Sequence, residues 1–125
     1  MLKKIYYHDT DCGGVVYYAN YLKYFEEART EYMRERGLNL KDLSEKGFLF
    51  VVKKVDIEYK SPARYADTLE ISTQINKIRN VSFDFFQEVK RESQVLVSAN
   101  TVLVCIDKNF RPIALPENII NHLQK

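Results

Sequence analysis

The feature that most constrains the fold is a change in hydrophobic period at Phe48. Before Phe48, apolar residues recur at helical spacing and predict one long helix over residues 21–36, ended by Gly37. After Phe48, apolar and polar residues alternate, which indicates strands with one buried face. One wide apolar helix stripe followed by alternating segments favours an α+β domain, in which an antiparallel sheet curves around that helix.

The alternating segments, together with a short strand before the helix, predict a sheet of five strands. The expected strands are residues 3–8, 48–59, 69–76, 81–90 and 95–106. The connections between the last three strands are short, so we expect an antiparallel meander with the last strand in the sheet interior. Asn20 is the expected N-cap of the long helix, and shorter helices are expected over residues 40–46 and from Glu117 onwards.

Composition limits the class of protein. The chain has 125 residues and is 46% hydrophobic, which favours a single domain, residues 1–125, with one core. Its net charge of +2 argues against a nucleic-acid-binding surface. Its apolar runs are far shorter than the roughly 20 residues of a membrane span, and no secretion signal is visible, so we expect a cytoplasmic protein. The two cysteines match no metal spacing, and we expect neither a metal nor a cofactor.

The loop before the long helix carries the residues best suited to chemistry. Asp9 and Asp11 follow the first strand, and Gly13 and Gly14 allow close approach of the backbone. The start of a helix offers free amide donors and positive potential. A carboxylate facing free amides resembles half of an acyl-transfer site, in which the amides stabilise an oxyanion. Asp residues before helices also serve simply as caps and turn formers, and the residues alone leave that reading open.

A longer pattern extends from Asp9 to Arg29, namely D-x-D-x-x-G-x-V-Y-x-x-x-Y-x-x-Y-x-E-x-A-R. This pattern resembles the signature of the hotdog-fold acyl-CoA thioesterases. It is most similar to the hydroxybenzoyl-CoA-thioesterase-like branch, which includes the YbgC-like enzymes associated with the Tol–Pal system. The order of elements and the later segments 59–62, 67–69 and 82–83 also fit, so the resemblance covers nearly the whole chain.

The resemblance implies roles for particular residues. Asp11 takes the place of the catalytic carboxylate, as nucleophile or general base, and the backbone amide of Tyr18 polarises the thioester carbonyl. Val15 and Tyr17 are implied to contact the substrate. YbgC-like members usually have His at the position of Tyr18, whereas hydroxybenzoyl-CoA enzymes have another aromatic residue there. An amide donor is therefore carried over to this chain, and an imidazole is not.

The resemblance also implies how coenzyme A is held and how the chains assemble. Arg79, Asn80 and Ser82 occupy the turn where the family contacts the phosphates of coenzyme A. The family forms dimers and often tetramers, with the site at the subunit interface. The apolar run at the start of the strand 48–59 is unsuited to a bare sheet edge, so we expect this strand to pair with its own copy in a homodimer or homotetramer.

Two other functions compete with a thioesterase. A non-catalytic module that binds acyl-CoA or an acyl carrier is the main alternative, favoured by the missing His. A dehydratase needs a His–carboxylate pair, and the chain has only His8 and His122. Arg29 is expected to tie the long helix to the region of Asp9. The remaining candidates are expected to be structural or surface residues: His8, Cys12, Glu26 and Glu27.

Overall fold

The computed structural model describes the whole chain, residues 1–125. It contains five strands and three α-helices, with a single 3₁₀ turn over Tyr7–Asp9. In chain order the elements are β1 (Leu2–Lys4), α1 (Asn20–Glu35), α2 (Leu40–Glu45), β2 (Leu49–Tyr59), β3 (Thr68–Ile78), β4 (Ser82–Arg91), β5 (Gln94–Ile106) and α3 (Glu117–Leu123). The predicted α+β class is confirmed. No helix of the chain is both long enough and apolar enough to cross a membrane.

The five strands form one sheet in the order β1-β3-β4-β5-β2, and every neighbouring pair is antiparallel. The predicted meander of β3, β4 and β5 is confirmed, and β5 lies inside the sheet as expected. Strand β2 has β5 on one side only, so its other edge is open within the chain. This is the hotdog arrangement, with a long helix packed on one face of an antiparallel sheet.

The core lies between α1 and the sheet. Phe25 of α1 and Phe83 and Phe85 of β4 have at most 1% of their surface exposed. Tyr32 packs edge-on against Phe85, with 5.5 Å between ring centroids. The apolar stripe predicted for the helix therefore faces the sheet, as the change of period indicates.

The start of the chain differs from the sequence-based prediction. The expected first strand is short: it ends at Lys4, and residues 7–9 form the 3₁₀ turn. The carboxylate of Asp9 accepts the backbone amide of Tyr6 at 2.9 Å, and this local bond favours a turn over an extended strand. The N-cap is Ala19 rather than Asn20: Asn20 is already the first residue of α1, and its side-chain amide donates to the Asp9 carbonyl instead of capping the helix.

Strand β2 contains a β-bulge. Its pairing with β5 runs from Val52 opposite Leu103 directly to Lys54 opposite Val102, so Lys53 is an additional residue. The bulge changes which positions face the buried side: Phe50 and Val52 lie opposite Cys105 and Leu103 before it, and Val55 and Ile57 lie opposite Thr101 and Ala99 after it. Apolar residues on both sides of the bulge thereby face the helix.

Candidate active site

The loop between the 3₁₀ turn and α1 is closed on itself by backbone bonds. Thr10 and Val16 form an antiparallel bridge, and inside it the amide of Asp11 donates to the carbonyl of Val15 at 2.8 Å. Gly14 completes the turn with a φ of 78°, a conformation that favours glycine, and its amide donates to the carbonyl of Asp11 at 3.1 Å. The backbone on both sides of Asp11 is thus fixed.

The Asp11 carboxylate lies at the surface of this loop, where a substrate can reach it. Its Oδ1 accepts the amide of Gly13 at 2.8 Å. A Cβ atom at position 13 would lie 3.2 Å from the same oxygen, so glycine leaves room around the carboxylate. The Asp11 side chain is therefore oriented by one backbone bond and otherwise open to solvent.

A groove with a volume of about 290 Å³ lies beside Asp11. Tyrosine rings form much of its wall: Tyr21 and Tyr59 lie 5.7 Å apart, and Tyr18 and Tyr59 lie 6.2 Å apart. The loop is attached to the segment after β2, since the amide of Val16 donates at 2.8 Å to the carbonyl of Ala63, the residue after the lining residue Pro62. The residues lining the groove are Asp11, Val15, Val16, Tyr18, Tyr21, Tyr59, Lys60, Ser61 and Pro62.

Free amide donors lie at the turn that leads into α1. The backbone amides of Tyr18 and Ala19 donate to no acceptor of the chain. The Tyr18 carbonyl accepts the hydroxyl of Tyr59 at 3.1 Å. Since unpaired amides before a helix carry positive potential, this turn can stabilise negative charge on an oxygen bound in the groove.

Asp9, the first carboxylate of the pattern, has a different environment. Its side chain is buried, and its backbone carbonyl accepts both the amide of Tyr17 and the side-chain amide of Asn20, at 3.0 and 2.9 Å. Burial alone would raise the pKa of Asp9, but the bond from the Tyr6 amide and the nearby Tyr24 hydroxyl hold that pKa below its usual range. Asp9 therefore joins the loop to the start of α1, while Asp11 is the exposed carboxylate.

Arg29 does not reach Asp9, and that expectation is wrong. Its guanidinium donates to the side-chain oxygen of Gln87 at 3.2 Å, and burial lowers the pKa of Arg29. Gln87 is completely buried, and its amide nitrogen donates to the Phe25 carbonyl and to the Thr73 hydroxyl. A polar residue on the buried face of β4 explains why Arg29 turns towards the sheet rather than the loop.

The predicted phosphate-contacting residues lie away from the groove of Asp11. Arg79 forms a bidentate pair with Asp84, at 2.6 and 3.2 Å, and Ser82 is buried. Arg79 and Ser82 line a separate polar depression with Lys53 and Lys54, and the Asn80 carbonyl accepts the amide of Leu115. One chain alone therefore does not bring Arg79, Asn80 and Ser82 together with Asp11.

Of the remaining predicted residues, some line the groove and others do not. Val15 and Tyr18 line the groove, whereas Tyr17 lies outside it, with its ring 5.0 Å from that of Tyr18. Cys12 is exposed and forms no disulfide. Tyr59 was not among the predicted site residues, because a tyrosine at the end of an alternating strand has the same pattern as a core residue.

Comparison with known proteins agrees with this architecture. The model of the thioesterase-like superfamily matches residues 6–123. A protein of Escherichia coli named acyl-CoA thioester hydrolase YbgC is 42% identical over 119 residues, which cover 94% of this chain and 89% of that protein. A protein of Haemophilus influenzae named acyl-CoA thioesterase YbgC is 37% identical over 118 residues, 93% of this chain and 87% of that protein.

A solved structure has the same fold and a bound acyl-CoA. It is a mutant of 4-hydroxybenzoyl-CoA thioesterase in complex with 4-hydroxybenzoyl-CoA, with a TM-score of 0.91 and 25% identity, covering 98% of this chain and 96% of that one. The family model, the YbgC relatives and this structure all agree over nearly the full length of the chain. The chain therefore belongs to the thioesterase-like superfamily.

Proposed function

We propose that this protein hydrolyses an acyl-CoA thioester to the free acid and coenzyme A. The observation that carries the proposal is the position of Asp11, an accessible carboxylate on a fixed loop beside an apolar groove with free amides. The names of the YbgC relatives and the acyl-CoA bound by the structural neighbour support a thioester of coenzyme A as the substrate.

In the proposed reaction, Asp11 acts on the thioester carbon while the amide of Tyr18 donates to the carbonyl oxygen. Asp11 either attacks the carbon, giving a mixed anhydride that water hydrolyses, or takes a proton from the attacking water. In both routes the C–S bond breaks and coenzyme A leaves as its thiolate. The amide bond strengthens as charge develops on the oxygen, so it stabilises the transition state more than the substrate.

Thiol release across a panel of acyl-CoAs tests the proposal. The panel contains an aromatic, a short-chain and a long-chain acyl-CoA, because a groove with tyrosine walls accommodates both aromatic and aliphatic groups. Release of free thiol with at least one of them is the expected result. Binding of acyl-CoA without any thiol release would instead favour the non-catalytic module.

Tyr18→Phe should lower kcat only modestly. The substitution removes a hydroxyl and keeps the backbone amide, which is the group assigned to the carbonyl oxygen. Steady-state kinetics with the best acyl-CoA of the panel measure the effect. A loss as large as that of Asp11→Asn would mean that the Tyr18 hydroxyl takes part in the chemistry, as a replacement for the His of YbgC-like members.

The open edge of β2 should pair with the same edge of a second copy. Val52, Val55 and Tyr59 are exposed on this strand in the single chain, and an isologous pairing would satisfy both open edges at once. Sedimentation velocity at micromolar concentration should therefore detect a dimer or a tetramer of dimeric units. Val52→Lys should shift the distribution towards monomer, because it places a charge at the proposed contact.

Leu22→Lys is the matched control for the assembly, since Leu22 is similarly exposed but lies on α1. It should leave the β2 contact unchanged. A wild-type protein that sediments as a monomer at micromolar concentration would refute the proposed pairing.

A further inference from the structure

Hydrogen bonds hold the peptide groups on both sides of Tyr18. In a trans peptide the carbonyl and the amide point in opposite directions, so a bond to one fixes the other. The Tyr17 carbonyl accepts the amide of Asn20 at 2.9 Å, which orients the amide of Tyr18. The Tyr18 carbonyl accepts the Tyr59 hydroxyl at 3.1 Å, which orients the amide of Ala19.

These two bonds differ in origin. The bond from Asn20 is local to the start of α1, whereas the bond from Tyr59 spans 41 positions and comes from the last residue of β2. The Tyr59 ring lies between the rings of Tyr18 and Tyr21, at 6.2 and 5.7 Å, so its hydroxyl is directed by packing on both. This hydroxyl makes the only hydrogen bond between the turn and β2, whose last residue lines the groove.

We propose that Tyr59 is a positioning residue, which fixes the peptide that follows Tyr18 and so keeps Tyr18 placed with its amide facing the substrate carbonyl. This inference rests on the proposed function. Without the Tyr59 hydroxyl, the Tyr18–Ala19 peptide stays before α1, but it loses the hydrogen bond to its carbonyl that restricts its rotation. The Tyr18 amide then aligns less well with the oxygen on which charge develops.

Tyr59→Phe isolates the hydroxyl, because phenylalanine keeps the ring that packs on Tyr21. We expect kcat for thiol release to fall roughly 3- to 10-fold, the range for loss of one neutral hydrogen bond, with KM changed less than twofold. Tyr65→Phe is the matched control, since the Tyr65 ring is exposed and its hydroxyl makes no hydrogen bond. It should retain the kcat of the wild-type protein.

Infrared spectroscopy of bound benzoyl-CoA labelled with ¹³C at the carbonyl provides a readout that does not need turnover. The band should lie at higher wavenumber in Asp11→Asn/Tyr59→Phe than in Asp11→Asn, because the carbonyl is less polarised. An unchanged band, or a kcat for Tyr59→Phe equal to that of Tyr65→Phe, would overturn the role of Tyr59. A raised KM at unchanged kcat would also overturn it, since Tyr59 would then contribute to binding alone.

If the proposed function is wrong, the kinetic results differ from those expected if only the role of Tyr59 is wrong. In that case the wild-type protein releases no thiol from any acyl-CoA of the panel, or Asp11→Asn retains full turnover. If the wild-type protein is active, Asp11→Asn is inactive and Tyr59→Phe is indistinguishable from wild type, then only the inference about Tyr59 is wrong.

Discussion

Asp11→Asn should reduce kcat for acyl-CoA hydrolysis by at least about 100-fold, within the range for loss of a catalytic acid–base group. Asparagine keeps the shape of the side chain and can still accept the amide of Gly13, which donates to Asp11 at 2.8 Å. It removes the negative charge, and with it both the nucleophile and the base. The measurement is thiol release under steady-state conditions.

Binding and folding should survive this substitution, which separates chemistry from structure. Calorimetric titration of Asp11→Asn with the preferred acyl-CoA should give nearly the wild-type Kd, because the groove is unchanged. Asp42→Asn is the control, since Asp42 is in the short helix α2 and does not line the groove. Turnover by Asp11→Asn close to that of Asp42→Asn would exclude Asp11 as the reacting carboxylate.

Gln87→Leu should have the largest effect on stability, lowering the free energy of unfolding by about 2–4 kcal/mol. Leucine has a similar volume but cannot accept the hydrogen bond from the Arg29 guanidinium, which would stay partly buried without that partner. The Phe25 carbonyl and the Thr73 hydroxyl would also lose the donor they share. Urea denaturation followed by circular dichroism measures the change.

Asn76→Ala is the corresponding control, because Asn76 makes an exposed bond to Asn100 at 3.3 Å. Its effect should stay below about 0.5 kcal/mol, as is usual for surface substitutions. Equal effects of the two substitutions would show that the buried network around Gln87 does not contribute specifically to stability.

The parts of the fold that could be predicted are those set by local periodicity. The spacing of apolar residues in α1 identifies a helix with one buried face, and the alternation in β3 and β4 identifies strands joined by short turns. The loop of Asp11 could be predicted as chemically important because its carboxylates, glycines and helix start are adjacent in sequence. The role of the Asn20 side chain and the short length of β1 could not be predicted, because both depend on the hydrogen bonds that Asp9 makes.

The contacts that sequence could not supply join residues far apart in the chain. The bond between Tyr59 and Tyr18 spans 41 positions, and that between Arg29 and Gln87 spans 58. Each depends on how α1 lies on the sheet, and no local pattern fixes that orientation. Arg79 and Ser82 face a different depression from Asp11 within one chain, so a role for them in the proposed site would require a second copy of the chain.

The additional residue, Lys53, determines which face of the sheet each later side chain of β2 lies on. Without it, the side chains of Val55, Ile57 and Tyr59 would exchange faces with their charged neighbours, because strand residues alternate strictly. The tyrosine that contacts Tyr18 would then point away from the helix. A substitution at position 53 keeps this arrangement, whereas deletion of one codon there would turn the side chain of Tyr59, six residues further along β2, away from the groove.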